Sequence, residues 1–165
     1  MWIPLKEQLK MENIILIKEE LQCDINTAFK LFTKNELLEK WLTVKAEVDP
    51  KVGGKYELFW ESEDRENNST IGCKVTGIEN EHFISFNWKG PTQFKSFMNI
   101  ANPLTHVIVF FSHNGSEPDR TIVHLFHTGW RNTPEWQEAR DFFEKAWLNA
   151  LEGLKEKILS KEIFQ

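Results

Sequence analysis

The sequence predicts a two-layer α+β domain, an antiparallel sheet packed on one long C-terminal helix. Three observations predict it. From Thr43 to Gly129 the apolar residues tend to recur at every second position. Gly53-Gly54, Glu79-Asn80-Glu81 and Asn114-Gly115 punctuate that stretch as turns. After Thr133-Pro134 the apolar spacing becomes helical and stays so to Ile158.

Met11-Glu12-Asn13 reads as a second start site, which makes residues 1–10 a tail and 11–165 one domain. Ile14 to Ile17 opens a strand, with three β-branched residues in four. It is expected to run towards Cys23 and to break at Asp24. Asp24 reads as an N-cap, with Ile25, Ala28, Phe29 and Phe32 at helical spacing behind it. Thr33-Lys34-Asn35-Glu36 has the form of a capping box, and Leu37, Leu38, Trp41 and Leu42 follow on one face. Two short helices with a break near Thr33 are predicted.

In the sheet region Tyr56, Leu58 and Trp60 alternate with Glu57, Phe59 and Glu61. Glu63 to Ser69 is a polar loop, Thr70 to Ile78 a strand, and Phe83 to Trp88 another. Gly90 to Pro103 is a long connection carrying Phe94, Phe97 and Met98. Thr105 to Phe111 and Thr121 to Gly129 are predicted to pair as a hairpin around Asn114-Gly115 and Pro118-Asp119. Thr133 caps the last helix and Pro134 sits in its first turn. Trp136, Arg140, Phe143, Trp147, Ala150, Leu151, Leu154 and Ile158 form its apolar stripe. Glu138, Asp141, Glu144, Lys145, Glu152, Lys155 and Glu156 fall on the other side, and Gly153 is expected to allow close approach to the sheet.

Composition narrows the function classes. The chain has 165 residues, one domain's worth at roughly 150 per domain. A net charge of −5 without a basic face argues against nucleic acid as partner. The longest apolar run, Val107 to Phe111, is far short of a membrane span. Met1 to Lys10 lacks the apolar centre of a secretory signal. Cys23 and Cys73 form no metal knuckle and read as reduced thiols of a cytoplasmic protein. No phosphate-binding glycine loop and no serine-hydrolase elbow occurs, and no cofactor is expected. Against 13 Phe and 7 Trp there is 1 Tyr, which implies a large apolar interior. Composition leaves a filled core and a hollow one both open.

The motifs resemble a known family. Phe29, Phe32 and Leu37-Leu38-Glu39-Lys40-Trp41 look like its helix pair ending in Trp. Asp49 with Gly53-Gly54-Lys55-Tyr56 looks like its turn into a strand. Val75, Ile78 and Ile84-Ser85-Phe86-Asn87-Trp88 look like its central strands, with Cys73 or the shifted Gly72 where a Gly is common. Thr121-Ile122-Val123-His124-Leu125-Phe126-His127-Thr128-Gly129-Trp130 resembles its penultimate strand, and Trp147, Leu151 and Leu154 its last helix, with Ala146 where a Gly often stands. The family is the one named after the activator of the heat-shock-protein-90 ATPase, in its bacterial single-domain form, within the START-like helix-grip superfamily. The resemblance runs from about Ile14 to Leu159. It implies a curved sheet wrapped round the C-terminal helix, with a cavity that holds a small apolar or aromatic molecule or a lipid. The name also implies a co-chaperone, a role that belongs to a two-domain eukaryotic member and is given less weight here.

Site candidates follow from the residues and the resemblance together. Tyr56, Leu58 and Trp60 on one strand face are expected to meet Phe143, Trp147 and Leu151 across a pocket, with Trp88 beside them. Phe94 and Phe97 are expected either to cover its opening as a lid or to plug one end of the core. If Ser112 pairs with Thr121, His106 falls opposite His127 on one sheet face, where two imidazoles suit acid–base chemistry or a metal. That arrangement would serve an enzyme of the cyclase or hydrolase kind, though no third ligand is fixed and a slip of one residue separates the pair. His124 lies on the opposite strand face from His127. Cys73 reads as a small core residue rather than a nucleophile. Glu57, Glu61 and Arg65 are candidate polar anchors at the pocket mouth, but alternation directs Glu57 and Glu61 away from the cavity, and solvated edge charges are the better reading. The leading expectation is a non-enzymatic binding module, with a chaperone-associated interaction module as a rival.

Overall fold

A computed structural model describes residues 13–165. The reading of residues 1–10 as a tail lies outside that range. The elements are β1 (Ile15–Leu21), α1 (Ile25–Thr33), α2 (Asn35–Trp41), β2 (Lys45–Val48), β3 (Tyr56–Phe59), β4 (Val75–Glu79), β5 (Phe83–Trp88), a 3-10 turn (Thr92–Phe94) with α3 (Lys95–Met98), β6 (Thr105–Asn114), β7 (Glu117–Thr128) and α4 (Pro134–Leu159). Five strands form an antiparallel sheet in the order β1-β7-β6-β5-β4, and β2 and β3 form a separate pair. That pair is joined to the β4 side through Lys55–Lys74 and Phe59–Ser69 bridges and the Tyr56 N–Cys73 O bond of 2.9 Å. The expected strand over Thr70–Ile78 is regular only from Val75, because Thr70 to Lys74 serves as this hinge between the sheets.

Alternation places the faces. Ile15, Ile17 and Leu21 of β1, Val123, Leu125 and His127 of β7, Val107, Val109 and Phe111 of β6, and Ile84, Phe86 and Trp88 of β5 are buried. They meet the stripe Trp136, Ala139, Phe143, Trp147, Leu151, Leu154 and Ile158 of α4 in one core cluster. The charges in β1 have an explanation, since Glu19 accepts from Lys155 of α4 at 3.0 Å. Thr133 caps α4 as its sequence predicts. Asp24 likewise accepts from the Thr27 amide at 2.7 Å.

Three local expectations are corrected. Thr33 closes α1, and its hydroxyl donates to Phe29 O at 3.0 Å, so it caps nothing; the N-cap of α2 is Lys34, without a side-chain bond. Gly153 has no atom within 4 Å of where a Cβ would stand, so no close approach requires it. Pro118-Asp119 lies inside β7 rather than in the turn, because the β6–β7 register shifts between His113 and Asn114. The Gly53-Gly54 turn does require glycine. Gly53 has φ +83°, and a Cβ on Gly54 would stand 2.2 Å from Asp49 O.

Candidate functional site

A pocket of 410 Å³ lies where the C-terminal end of β5 and the chain following β3 face the middle of α4. Its walls are largely apolar: Leu42, Trp60, Trp88, Pro91, Phe142, Phe143, Ala146, Trp147 and Ala150. Glu61, Asn68, Ser69, Lys89 and Gly90 complete the rim. Trp88 is the centre of the wall. Its ring lies 5.1 Å from that of Trp147, 6.0 Å from Trp60 and 6.5 Å from Phe143. Trp60 follows the last residue of β3 and is 36% exposed, held by its Nε1 donating to Leu42 O at 2.9 Å. The space exists because Ala146 and Ala150, four apart on α4, leave a shallow strip between larger side chains.

Two segments meet at the rim. The Asn68 side chain accepts from the Thr92 amide (2.9 Å) and hydroxyl (3.1 Å) and donates to Glu61 Oε1 (2.8 Å). Lys95 Nζ donates to Glu66 O (3.1 Å) and Asn67 Oδ1 (2.8 Å). The loop after β3 is thereby clasped to the start of the Gly90–Pro103 connection.

That connection packs as a plug. Phe94 and Met98 are buried, Phe94 lies 5.2 Å from Phe142, and Phe97 lies 5.1 Å from Trp136. Asn99 closes it by bonding both the amide (2.7 Å) and the carbonyl (3.1 Å) of Gly90. Phe94 and Phe97 therefore sit beside the pocket and outside its lining.

Among the aromatic and aliphatic candidates, Trp60, Trp88, Phe143 and Trp147 come together in the lining. Tyr56, Leu58 and Leu151 are sealed in the core instead. Tyr56 stacks on Phe86 at 3.7 Å and donates its hydroxyl to Phe32 O at 2.8 Å; burial holds that hydroxyl well above its usual pKa. The alternation that groups Tyr56 and Leu58 with Trp60 breaks because β3 ends at Phe59.

The histidine pair is corrected. β6 and β7 pair His106 with Thr128 and Val107 with His127, one residue from the expected register. The two imidazoles consequently face opposite sides of the sheet. His106 lies on the outer face and is half-buried, which lowers its pKa, and its Nε2 lies 2.6 Å from Thr76 Oγ1. His127 is fully buried on the inner face. Its Nδ1 accepts from Trp147 Nε1 at 3.1 Å, so the proton resides on Nε2, which donates to Thr105 Oγ1 at 3.1 Å. Desolvation lowers its pKa from 6.5 to about 3. It is a neutral structural residue, and no histidine lines the pocket among the described residues.

The acidic residues also differ from expectation. Glu57 is 7% exposed, accepts from the Gly72 amide at 2.7 Å and pairs with Lys55 at 3.4 Å. Glu61 belongs to the pocket rim. Arg65 is the solvated one; it lies over the Phe59 ring at 4.4 Å and pairs with Glu47. Cys73 is buried, and its thiol is pushed up to about 12 by burial, the setting of an inert thiol. Among the described residues no group of three or more His, Cys, Asp or Glu is placed to hold a metal ion, and no helix is long and apolar enough to cross a membrane.

Leu42, Asn68, Ser69, Lys89, Phe142, Ala146 and Ala150 were not legible as lining residues. The one available signal was the small pair Ala146 and Ala150 on a stripe of large side chains.

The family model for activator of Hsp90 ATPase homolog 1-like proteins matches residues 22–158. No curated protein matches the chain. Among solved structures, the chain is similar to an HSP90 activator from Plasmodium falciparum, with 24% identity, TM-score 0.66 and coverage of 89% of this chain and 96% of that one. It is similar to the Aha1 dimer from Colwellia psychrerythraea, with 16% identity, TM-score 0.67 and coverage of 88% and 95%. It is also similar to CalU16 from Micromonospora echinospora, with 17% identity, TM-score 0.61 and coverage of 91% and 80%. Likeness at these identities concerns the fold.

Proposed function

From the premise that this chain belongs to the activator of Hsp90 ATPase homolog 1-like family, we infer that it binds a small apolar or aromatic molecule between sheet and C-terminal helix. The observation that carries the reading is the 410 Å³ pocket walled by Trp60, Trp88, Phe142, Phe143 and Trp147. Interiors normally close around such rings, and a volume of this size falls within the range of small-molecule sites. Affinity comes from apolar burial, at about 25 cal/mol per Å² before association costs. The protein acts in this reading as a carrier or sensor, since neither His106 nor His127 lines the pocket and burial keeps His127 neutral.

A thermal-shift screen against fatty acids, sterols, flavonoids and small aromatic acids tests it. A ligand at 100 times its Kd stabilises by about 2.7 kcal/mol, roughly 5–10 °C in Tm for a chain of this size. Trp60→Glu places a charge in the wall at an exposed position and should abolish the shift with the fold intact. No shift from any class would count against the reading.

A second reading, contact with a chaperone, has its own observation. On the outer sheet face Leu16 is 57% exposed and Phe110 42%, and Phe110 lies 5.9 Å from Phe83 and 5.8 Å from Phe126. Contiguous exposed apolar faces are where proteins meet partners. Titration with an Hsp90-type chaperone, with Phe110→Asp as control, separates this reading from the first, because that position lies outside the pocket lining.

A further inference from the structure

We propose that the ligand of this pocket is a neutral molecule whose apolar body carries one carbonyl-type oxygen, and that Trp88 Nε1 donates its hydrogen bond to that oxygen. The proposal rests on the reading of the pocket as a binding site.

Trp88 is 3% exposed and its Nε1 has no hydrogen-bond partner. Among the described residues it is the one buried side-chain nitrogen or oxygen left without a partner. The other indole N–H groups around it are bonded. Trp147 Nε1 donates to His127, Trp130 Nε1 to His127 O at 2.9 Å, and Trp60 Nε1 to Leu42 O. A buried N–H left unpaired costs about 1–3 kcal/mol, so such atoms are rare and ask for a cause. This one belongs to the ring at the centre of the pocket wall. Indole is a donor only, so the missing partner is an acceptor.

The rim indicates a neutral partner. It holds one carboxylate, Glu61, and one ammonium, Lys89, so their charges offset each other. Lys89 is engaged by Ile71 O at 2.6 Å and Glu61 by Asn68. A ketone, ester or amide oxygen fits this rim better than a carboxylate, whose full charge would need an uncommitted cation beside it. Of the rings against Trp88, namely Trp60, Phe86, His127, Phe143 and Trp147, only Trp60 is exposed. An oxygen that reaches the buried Nε1 therefore has to enter past Trp60, which one bond to Leu42 O holds in place.

Three naphthalene probes of equal ring size test this: 2-acetylnaphthalene, its alkene isostere 2-isopropenylnaphthalene, and 2-naphthoate. Binding is followed by NMR on protein labelled with 15N in the tryptophan side chains. One hydrogen bond predicts that the ketone binds about tenfold more tightly than the alkene. The Trp88 indole proton should move downfield with the ketone alone, and the affinity difference should vanish in Trp88→Phe. Should that variant fail to fold, the ketone–alkene ratio and the indole shift in the wild-type protein decide by themselves. Equal binding of ketone and alkene, with an unmoved indole proton, overturns the proposal while leaving the pocket a binding site. An indole proton already far upfield, as when it points at a neighbouring ring, and unchanged by the ketone also overturns it. Tightest binding by naphthoate overturns the neutral class, and binding of none of the three overturns both the proposal and the reading beneath it.

Discussion

His127 and Trp88 lie 6.3 Å apart, ring centre to ring centre, within one aromatic cluster, and their polar atoms fare differently. Both His127 nitrogens are bonded, and its carbonyl receives Trp130 Nε1. Trp88 Nε1 has no partner, and its ring borders the pocket. The same helix supplies both settings. Trp147 pins His127, while Ala146 and Ala150 beside it leave room near Trp88. Burial by itself thus separates neither role. A buried polar atom with all its partners is a structural joint, and one without them marks where the interior is unfinished.

The largest effect should come from breaking the finished side. His127→Ala removes a buried ring and strands Trp147 Nε1, and should cost about 3–5 kcal/mol in urea unfolding. Trp147→Phe keeps most of the ring but strands His127 Nδ1. We expect a loss of about 1–3 kcal/mol, and a value near zero would show that the bond at 3.1 Å does not hold helix to sheet.

Acid gives an independent reading of the same joint. The unfolded chain protonates His127 near pH 6.5, whereas the folded protein does so only at about 3. Above pH 6.5 the ring is neutral in both states and contributes no pH dependence. As pH falls from 6.5 towards 3, the unfolded chain takes up a proton that the folded protein refuses. Stability should therefore fall by about 1.4 kcal/mol per pH unit from this ring. Unfolding curves at pH 7, 6, 5 and 4 for the wild-type protein and His127→Gln isolate it, and equal slopes would contradict a neutral buried imidazole. His106→Asn should flatten the profile much less, because that ring is half-buried on the outer face and its pKa is lowered only by partial desolvation.

The smallest stability effect belongs to the unfinished side. Ala150→Leu extends into the pocket and should change stability by less than about 1 kcal/mol, since it meets open space. It should nevertheless remove the thermal shift produced by any pocket ligand. A large destabilisation would mean that Ala150 is packed.

Most of the architecture was legible in the residues because side-chain period reports local geometry directly. The strand Phe83–Trp88 and the capped start of α4 at Thr133-Pro134 are found where alternation and capping place them. Two kinds of information were not local. The β6–β7 register depends on an irregularity between His113 and Asn114, and one residue of slip sends His106 and His127 to opposite faces. The capping box at Thr33 failed because its hydroxyl found Phe29 O, a partner the helix itself supplies.

The candidate site divides the same way. Trp60, Trp88, Phe143 and Trp147 were readable as large apolar side chains on inward faces, and they line the pocket. Tyr56, Leu58 and Leu151 carry the same signal but lie in the closed part of the core. What the sequence by itself determined is which side chains leave water, because period and hydrophobicity are properties of neighbouring residues. Only the tertiary structure decided which of them close on one another and which border a cavity. That depends on how segments distant in the chain approach, as Asn68 meets Thr92 and as Trp88, Ala146 and Ala150 come to border one pocket. Cavities are made by the misfit between packed elements, and misfit has no period.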